Sequence, residues 1–198
     1  MICHIKVVTD SIHFLRSSAS GVKFGTPSHG GFKNIELDNL EIYDTYRSAI
    51  AIEAVDGGFV DGVKVSNIKA VNTGNAIFIK LGHRNAPGVV GSLQNMEIKN
   101  IDVTIPKGIP DKDYEIRGPM LPFFHNIFPS SITGIPGHDV KNVTIENVII
   151  RHPGGGNQAY ANMPTWRMDG VPENKQNYPE FSMFGELPAW GLYVRHVS

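Results

Sequence analysis

The sequence predicts an all-β chain wound as a parallel β-helix. Three observations carry that expectation: a repeated seven-residue strand pattern, a second strand series at the same spacing, and hardly any helical periodicity between them. The repeated pattern is Asn or Gly, apolar, any, apolar, any, Asn, apolar. It occurs as Asn34-Ile35-Glu36-Leu37-Asp38-Asn39-Leu40, Gly62-Val63-Lys64-Val65-Ser66-Asn67-Ile68, Asn95-Met96-Glu97-Ile98-Lys99-Asn100-Ile101 and Asn142-Val143-Thr144-Ile145-Glu146-Asn147-Val148. Its internal asparagines stand 28, 33 and 47 residues apart, so a core of constant length carries insertions that grow along the chain.

Each unit alternates apolar and polar with period two, and Ile and Val dominate it, as suits a pleated half-buried surface. Asn tolerates the left-handed region, so it breaks the alternation where the chain turns. Stacked repeat on repeat, these asparagines are expected to form an internal amide ladder. The second series is Val22–Thr26, Ile50–Ala54, Ile77–Leu81, Ile132–Gly134 and Trp190–Arg195, with Val22 to Ile50 spaced 28 and Ile50 to Ile77 spaced 27. Two series sharing one period fit a stack in which each turn of chain adds a strand to every sheet. A sandwich would need hairpin turns, and Asp56-Gly57-Gly58 and Asp61-Gly62 are the nearest candidates. The expectation is a single domain over 1–198, incomplete at both ends, with a long loop insertion at 152–188.

In the second series Val22, Phe24, Ile50, Ile52, Ile77, Ile79, Leu192 and Val194 should point inward. Lys23, Ala51, Glu53, Phe78, Lys80, Tyr193 and Arg195 should then point outward and line an open groove. Strands lie about 4.8 Å apart, which puts Glu53 beside Lys80 as a cross-strand pair. Three loops follow these strands and bring His29, Asp56, His83 and Arg84 to one end of the sheet, where function usually resides. Read singly, Asp56 is a turn residue and the histidines are ordinary exposed ones, whereas the shared placement of His29 and His83 after successive strands favours a site; Glu53 with Lys80 reads equally as a solvated ion pair or as part of the groove. The 152–188 insertion, rich in Gly, Pro and Asn, is expected to wall that cleft. Trp166, Tyr178 and Trp190 are its candidate sugar-stacking or anchoring aromatics.

The bulk composition excludes several classes. A net charge of −1 with scattered charges offers no field for nucleic acid or an anionic membrane. No apolar run reaches membrane-spanning length, and the opening residues lack a signal peptide's pattern. One cysteine, Cys3, permits no intrachain disulfide. The eight histidines show no zinc-like spacing, and no phosphate loop or nucleophile elbow is present, so neither metal nor cofactor is expected.

The segment Ser20–Thr26, running on through Gly30-Gly31-Phe32-Lys33-Asn34-Ile35, resembles the bacterial branch of glycoside hydrolase family 28. So do Ile42-Tyr43-Asp44-Thr45, Val55-Asp56-Gly57-Gly58, Ile77–Arg84, Ile135-Pro136-Gly137-His138 and the tail Met183–Val197. That resemblance implies the right-handed, pectin-lyase-like form of the β-helix and inverting hydrolysis of a pectic or related plant polysaccharide. One carboxylic acid would protonate the leaving oxygen while other carboxylates activate water. It also implies a secreted or periplasmic full-length protein.

The departures from the family pattern are equally specific. No Asp-Asp pair occurs, the Gly-His-Gly segment aligns with Ala19-Ser20-Gly21, and the Arg-x-Lys strand aligns with Ala51-Ile52-Glu53. The catalytic aspartates are therefore expected upstream of this chain, leaving it inactive alone, with Glu53 and Asp56 as substitute candidates. Lys23, His29, Glu53, Asp56, Lys80, His83 and Arg84 are the candidate substrate-binding residues. The alternatives are a non-catalytic carbohydrate-binding or structural β-helix, and a polysaccharide lyase, which would need an acidic calcium cluster that the sequence lacks.

Overall fold

The computed structural model describes residues 2–3, 6–7, 11–26, 29–110, 113, 125–187, 189 and 191–198. The chain is predominantly β. Among the described residues the strands are β1 (Ile2–Cys3), β2 (Lys6–Val7), β3 (His13–Ser17), β4 (Val22–Phe24), β5 (Gly31–Ala54), β6 (Phe59–Leu81), β7 (Ser92–Thr104), β8 (Ser130–Thr133), β9 (Lys141–Arg151) and β10 (Leu192–Arg195). The helical structure described is a four-residue α1 (Gln158–Ala161) and two 3-10 turns, His125–Ile127 and Thr165–Gly170.

Among the described residues, every pairing between these strands is parallel and belongs to one sheet. The path β5–β6–β7–β9 follows the sequence repeat: Ile35 pairs Val63, Val63 pairs Met96, and Met96 pairs Val143. A second path, β4–β5–β6–β8–β10, joins Val22 to Ile50, Ile50 to Ile77, Ile79 to Ile132, and Ile132 to Val194. The sequence treats Asn34–Leu40 and Ile50–Ala54 as separate strands, whereas β5 runs through both and shifts register between Thr45 and Ser48.

Alternating Ile and Val side chains from both paths meet in one apolar core that includes Val22, Ile35, Ile50, Val63, Ile77, Met96, Ile98 and Ile132. Burying each such side chain contributes roughly 1.5–3 kcal/mol. The repeat asparagines adopt positive φ, among them Asn39 (59°), Asn67 (53°), Asn100 (55°) and Asn147 (52°). Their amides do form a ladder, from Asn147 to Asn100 (2.9 Å), Asn100 to Asn67 (3.1 Å), and Asn67 to Asp38 (2.7 Å). A parallel ladder runs Asn142–Asn95–Asp61. These bonds lie on the exposed surface, which corrects the expected internal position. The left-handed residue ends an inward-facing stretch, and its polar side chain stays with water while the branched aliphatics fill the interior.

The strand at Leu192–Arg195 corrects a second expectation. Its register follows the plan, with Tyr193 on Ser131 and Val194 on Ile132. Its burial is reversed: Tyr193 is buried, whereas Leu192 and Val194 are exposed. Tyr193 gains cover from Phe184, whose ring lies 5.7 Å away. Trp190 lies outside the described residues, as do Val8, Thr9 and Asp10 of the weak strand read at Val7–Asp10.

Candidate functional site

The outward face of the β4–β5–β6–β8–β10 path should have been an open groove. Instead Ala51, Glu53, Phe78, Lys80, Ser131 and Thr133 are all buried. The described part of the insertion, residues 152–187, is the cover: it lies across this face as a strap, where the sequence suggested a wall beside it. Its contacts advance across the strands. Tyr178 meets Lys23, Arg47 and Arg84, Phe181 joins Phe78 and Phe128 in a small apolar cluster, and Phe184 sits over Lys80 and Tyr193. Aromatic side chains dominate these contacts because each supplies a large apolar area at little entropic cost.

Beneath the Tyr178 end of the strap is a cluster of opposite charges. Glu53, on β5, has a side chain that is 2% exposed and stands 3.2 Å from the Lys23 ammonium of β4, although its Oε2 makes no well-aligned hydrogen bond. Burial pushes the Glu53 pKa up to about 7, against the pull of Lys23. Glu180, on the strap, pairs with Arg47. Burial raises its pKa as well, while Arg47 and Lys23 oppose the shift. The field of Glu180 itself adds to the rise at Glu53. Two carboxyls, one buried and one half-buried, thus share a cation-rich environment, with Tyr178 above it and its hydroxyl accepting from Thr26 (3.3 Å). Gly25, at φ +105°, passes so close that a Cβ there would meet the Glu53 carbonyl oxygen at 2.7 Å.

Asp56 is more than a turn residue. Its carboxylate receives both Nε (2.8 Å) and Nη2 of Arg84, a forked pair that raises the guanidinium pKa and holds Arg84 below the Tyr178 ring. His29 is exposed, with Nδ1 3.2 Å from the Asp56 carbonyl oxygen. The structure therefore gathers Lys23, His29, Glu53, Asp56 and Arg84 from the sequence candidates.

Lys80 and His83 lie elsewhere. Lys80 does pair with Glu53 in register, but the expected ion pair between them is replaced: Lys80 Nζ donates to the Glu173 carbonyl oxygen (3.1 Å) under the strap. Burial lowers its pKa to about 8. His83 bonds the Gly88 carbonyl oxygen (2.6 Å) and helps line a separate hollow with Lys175, Gln176 and Asn177.

Arg47 and Glu180 were not singled out by the sequence, whereas Tyr178 was read as a stacking or anchoring aromatic and not as a cover for these charges. Arg47 sits where β5 shifts register, and Glu180 falls in a stretch without periodicity, where the only signal is a Tyr-Pro-Glu-Phe run (178–181) of bulky and acidic residues. A buried histidine, His125, lies between Tyr46 (4.5 Å) and Phe181 (5.1 Å), and burial lowers its pKa to about 4. Among the described residues, no group of three His, Cys, Asp or Glu is placed to hold a metal ion, and no helix is long and apolar enough to cross a membrane. No known family model, curated protein or solved structure matches the chain.

Proposed function

We propose that the chain is wound as a right-handed parallel β-helix and is a glycosidase of the family 28 type, acting on a pectic or related polysaccharide. The parallel pairing of residues 28, 33 and then 47 positions apart supports the winding, because each repeat meets the next along its whole length. One observation carries the chemistry. Buried Glu53 and half-buried Glu180 stand among Lys23, Arg47 and Arg84, and burial lifts the Glu53 pKa to about 7.

Glu53 is then the general acid and takes the place of the aspartate pair sought upstream. Glu180, held by Arg47, is the base. Glu180 removes a proton from water as the water oxygen attacks the anomeric carbon. Glu53 gives its proton to the departing glycosidic oxygen as the bond to it breaks, and the anomeric configuration inverts. Lys23 and Arg84 engage acidic groups on the polysaccharide, and Asp56 orients Arg84. Substrate enters when the strap lifts at Tyr178. A secreted or periplasmic setting suits such a substrate.

Glu53→Gln and Glu180→Gln should each lower turnover of pectic oligosaccharides by about 100- to 10,000-fold, with NMR following the anomer released. A second reading, a non-catalytic carbohydrate-binding β-helix, is favoured by the strap, which leaves only 2% of the Glu53 side chain exposed. Under that reading the chain binds the same oligosaccharides and releases no product, with Glu53 or with Gln at that position.

A further inference from the structure

We infer that the strap carries a second saccharide-binding site, apart from Glu53, which takes a neutral glycosyl unit stacked on Trp166. The inference rests on the carbohydrate reading above. The site is a cavity of about 460 Å³ whose lining includes Tyr160, Met163, Trp166, Arg167, Phe184 and Glu186. None of its lining residues belongs to the Lys23–Glu53–Glu180 cluster. The volume falls within the usual range for small-ligand sites.

Trp166 is 68% exposed, while Phe181 of the same strap and Phe78 and Phe128 packed against it are buried. An indole left in water at the mouth of a cavity keeps a large apolar face available for a partner. A pyranose ring has such a face on its C–H side and hydroxyls around its edge. The edge groups needed are present. The Arg167 guanidinium lies over one face of the Trp166 ring, 5.5 Å from its centre, so the sugar takes the opposite face; the Glu186 carboxylate is fixed by the Asn157 backbone N–H through Oε1, leaving Oε2 as an acceptor.

A neighbouring hollow of about 380 Å³ shares Tyr160, Met163 and Arg167 and adds Asn157 and Asn162, which gives room and amides for an adjoining unit. The floor is preformed. Arg195 donates to the carbonyl oxygens of Val171 (2.8 Å) and Asp169 (3.5 Å), and its ion pair with Glu173 (2.7 Å) ties the same turn to β10. Charge separates the two sites. The 460 Å³ cavity balances Arg167 against Glu186, whereas three cations surround Tyr178 over Glu53. An uncharged glycosyl residue therefore suits Trp166, and an acidic one suits Tyr178.

The test is calorimetric titration of the full chain carrying Glu53→Gln, with neutral galacto- and xylo-oligosaccharides in one arm and oligogalacturonate in the other. Trp166→Ala should weaken the neutral arm at least tenfold and leave the acidic arm within twofold; circular dichroism checks that this exposed substitution leaves the fold intact. Unchanged neutral affinity, or no neutral binding at millimolar sugar, overturns the inference. The hydrolase reading is tested separately by cleavage with Glu53 present: product formation that Trp166→Ala does not alter leaves that reading standing when this one fails.

Discussion

The repeat-built sheet and the strap that crosses it are stabilised in different ways. In the sheet, a residue's surroundings are copies of itself one repeat away: Val63 touches Ile35 on one side and Met96 on the other, and Asn100 bonds Asn67 and is bonded by Asn147. In the strap no position repeats. It is fastened by single side chains, with Glu180 on Arg47, Glu173 on Arg195, and Phe181 against Phe78 and Phe128. Periodic burial makes a rigid platform, and individually chosen contacts supply the charged groups that a site needs.

Core substitutions should break the sheet most severely. Ile79→Ala, at a fully buried position, should cost about 4 kcal/mol in denaturant unfolding, since the cavity left behind adds to the lost transfer energy. Arg47→Met acts on the strap instead. It should speed proteolytic nicking within 152–188 at least tenfold while moving the global unfolding free energy by only about 1 kcal/mol. Equal loss in both measurements would show that strap and sheet unfold as one unit.

Acid and base sharpen the contrast because two buried groups act with opposite sign. Glu53 has its pKa raised from 4.5 to about 7, so the folded chain keeps a proton the unfolded chain has released. Its contribution to stability therefore falls between pH 4.5 and about 7, and the penalty, about 3 kcal/mol, is complete above that window. His125 is lowered from 6.5 to about 4, so its contribution rises over much the same window and is lost as acid protonates the ring. Glu53→Gln should leave a steep acid-side loss of stability, and His125→Phe should abolish that slope. Unfolding curves from pH 4 to 8 on both variants decide the matter.

A modest effect is expected on the asparagine ladder. Asn100→Ala removes two exposed amide bonds and strains a left-handed residue, for about 1–2 kcal/mol. Asn100→Gly should recover the backbone share of that loss. Thermal melts of the pair separate the two contributions.

What the sequence made legible follows the same division. The inward positions Val22, Ile50 and Ile77 could be read because alternation and spacing both point to them, and they meet in one core. The asparagine turns were legible for the same reason. Spacing alone could not tell that the opposite face would be covered. Glu53 reads as a solvated residue until Tyr178 and Glu180, about 125 positions later, are laid over it. The placement of Lys80 failed for a related reason, since a backbone carbonyl at Glu173 has no signature in the sequence. Register located Tyr193 and Val194 correctly, but burial depended on what the strap covered.

The pH dependence of kcat/KM for pectic oligosaccharide cleavage tests the Glu53 assignment most directly. An alkaline limb near pH 7 in the unaltered chain, with at least a hundredfold loss of rate in Glu53→Gln across the profile, is the expected result. Glu53→Gln cleaving at full rate with the same limb would contradict it.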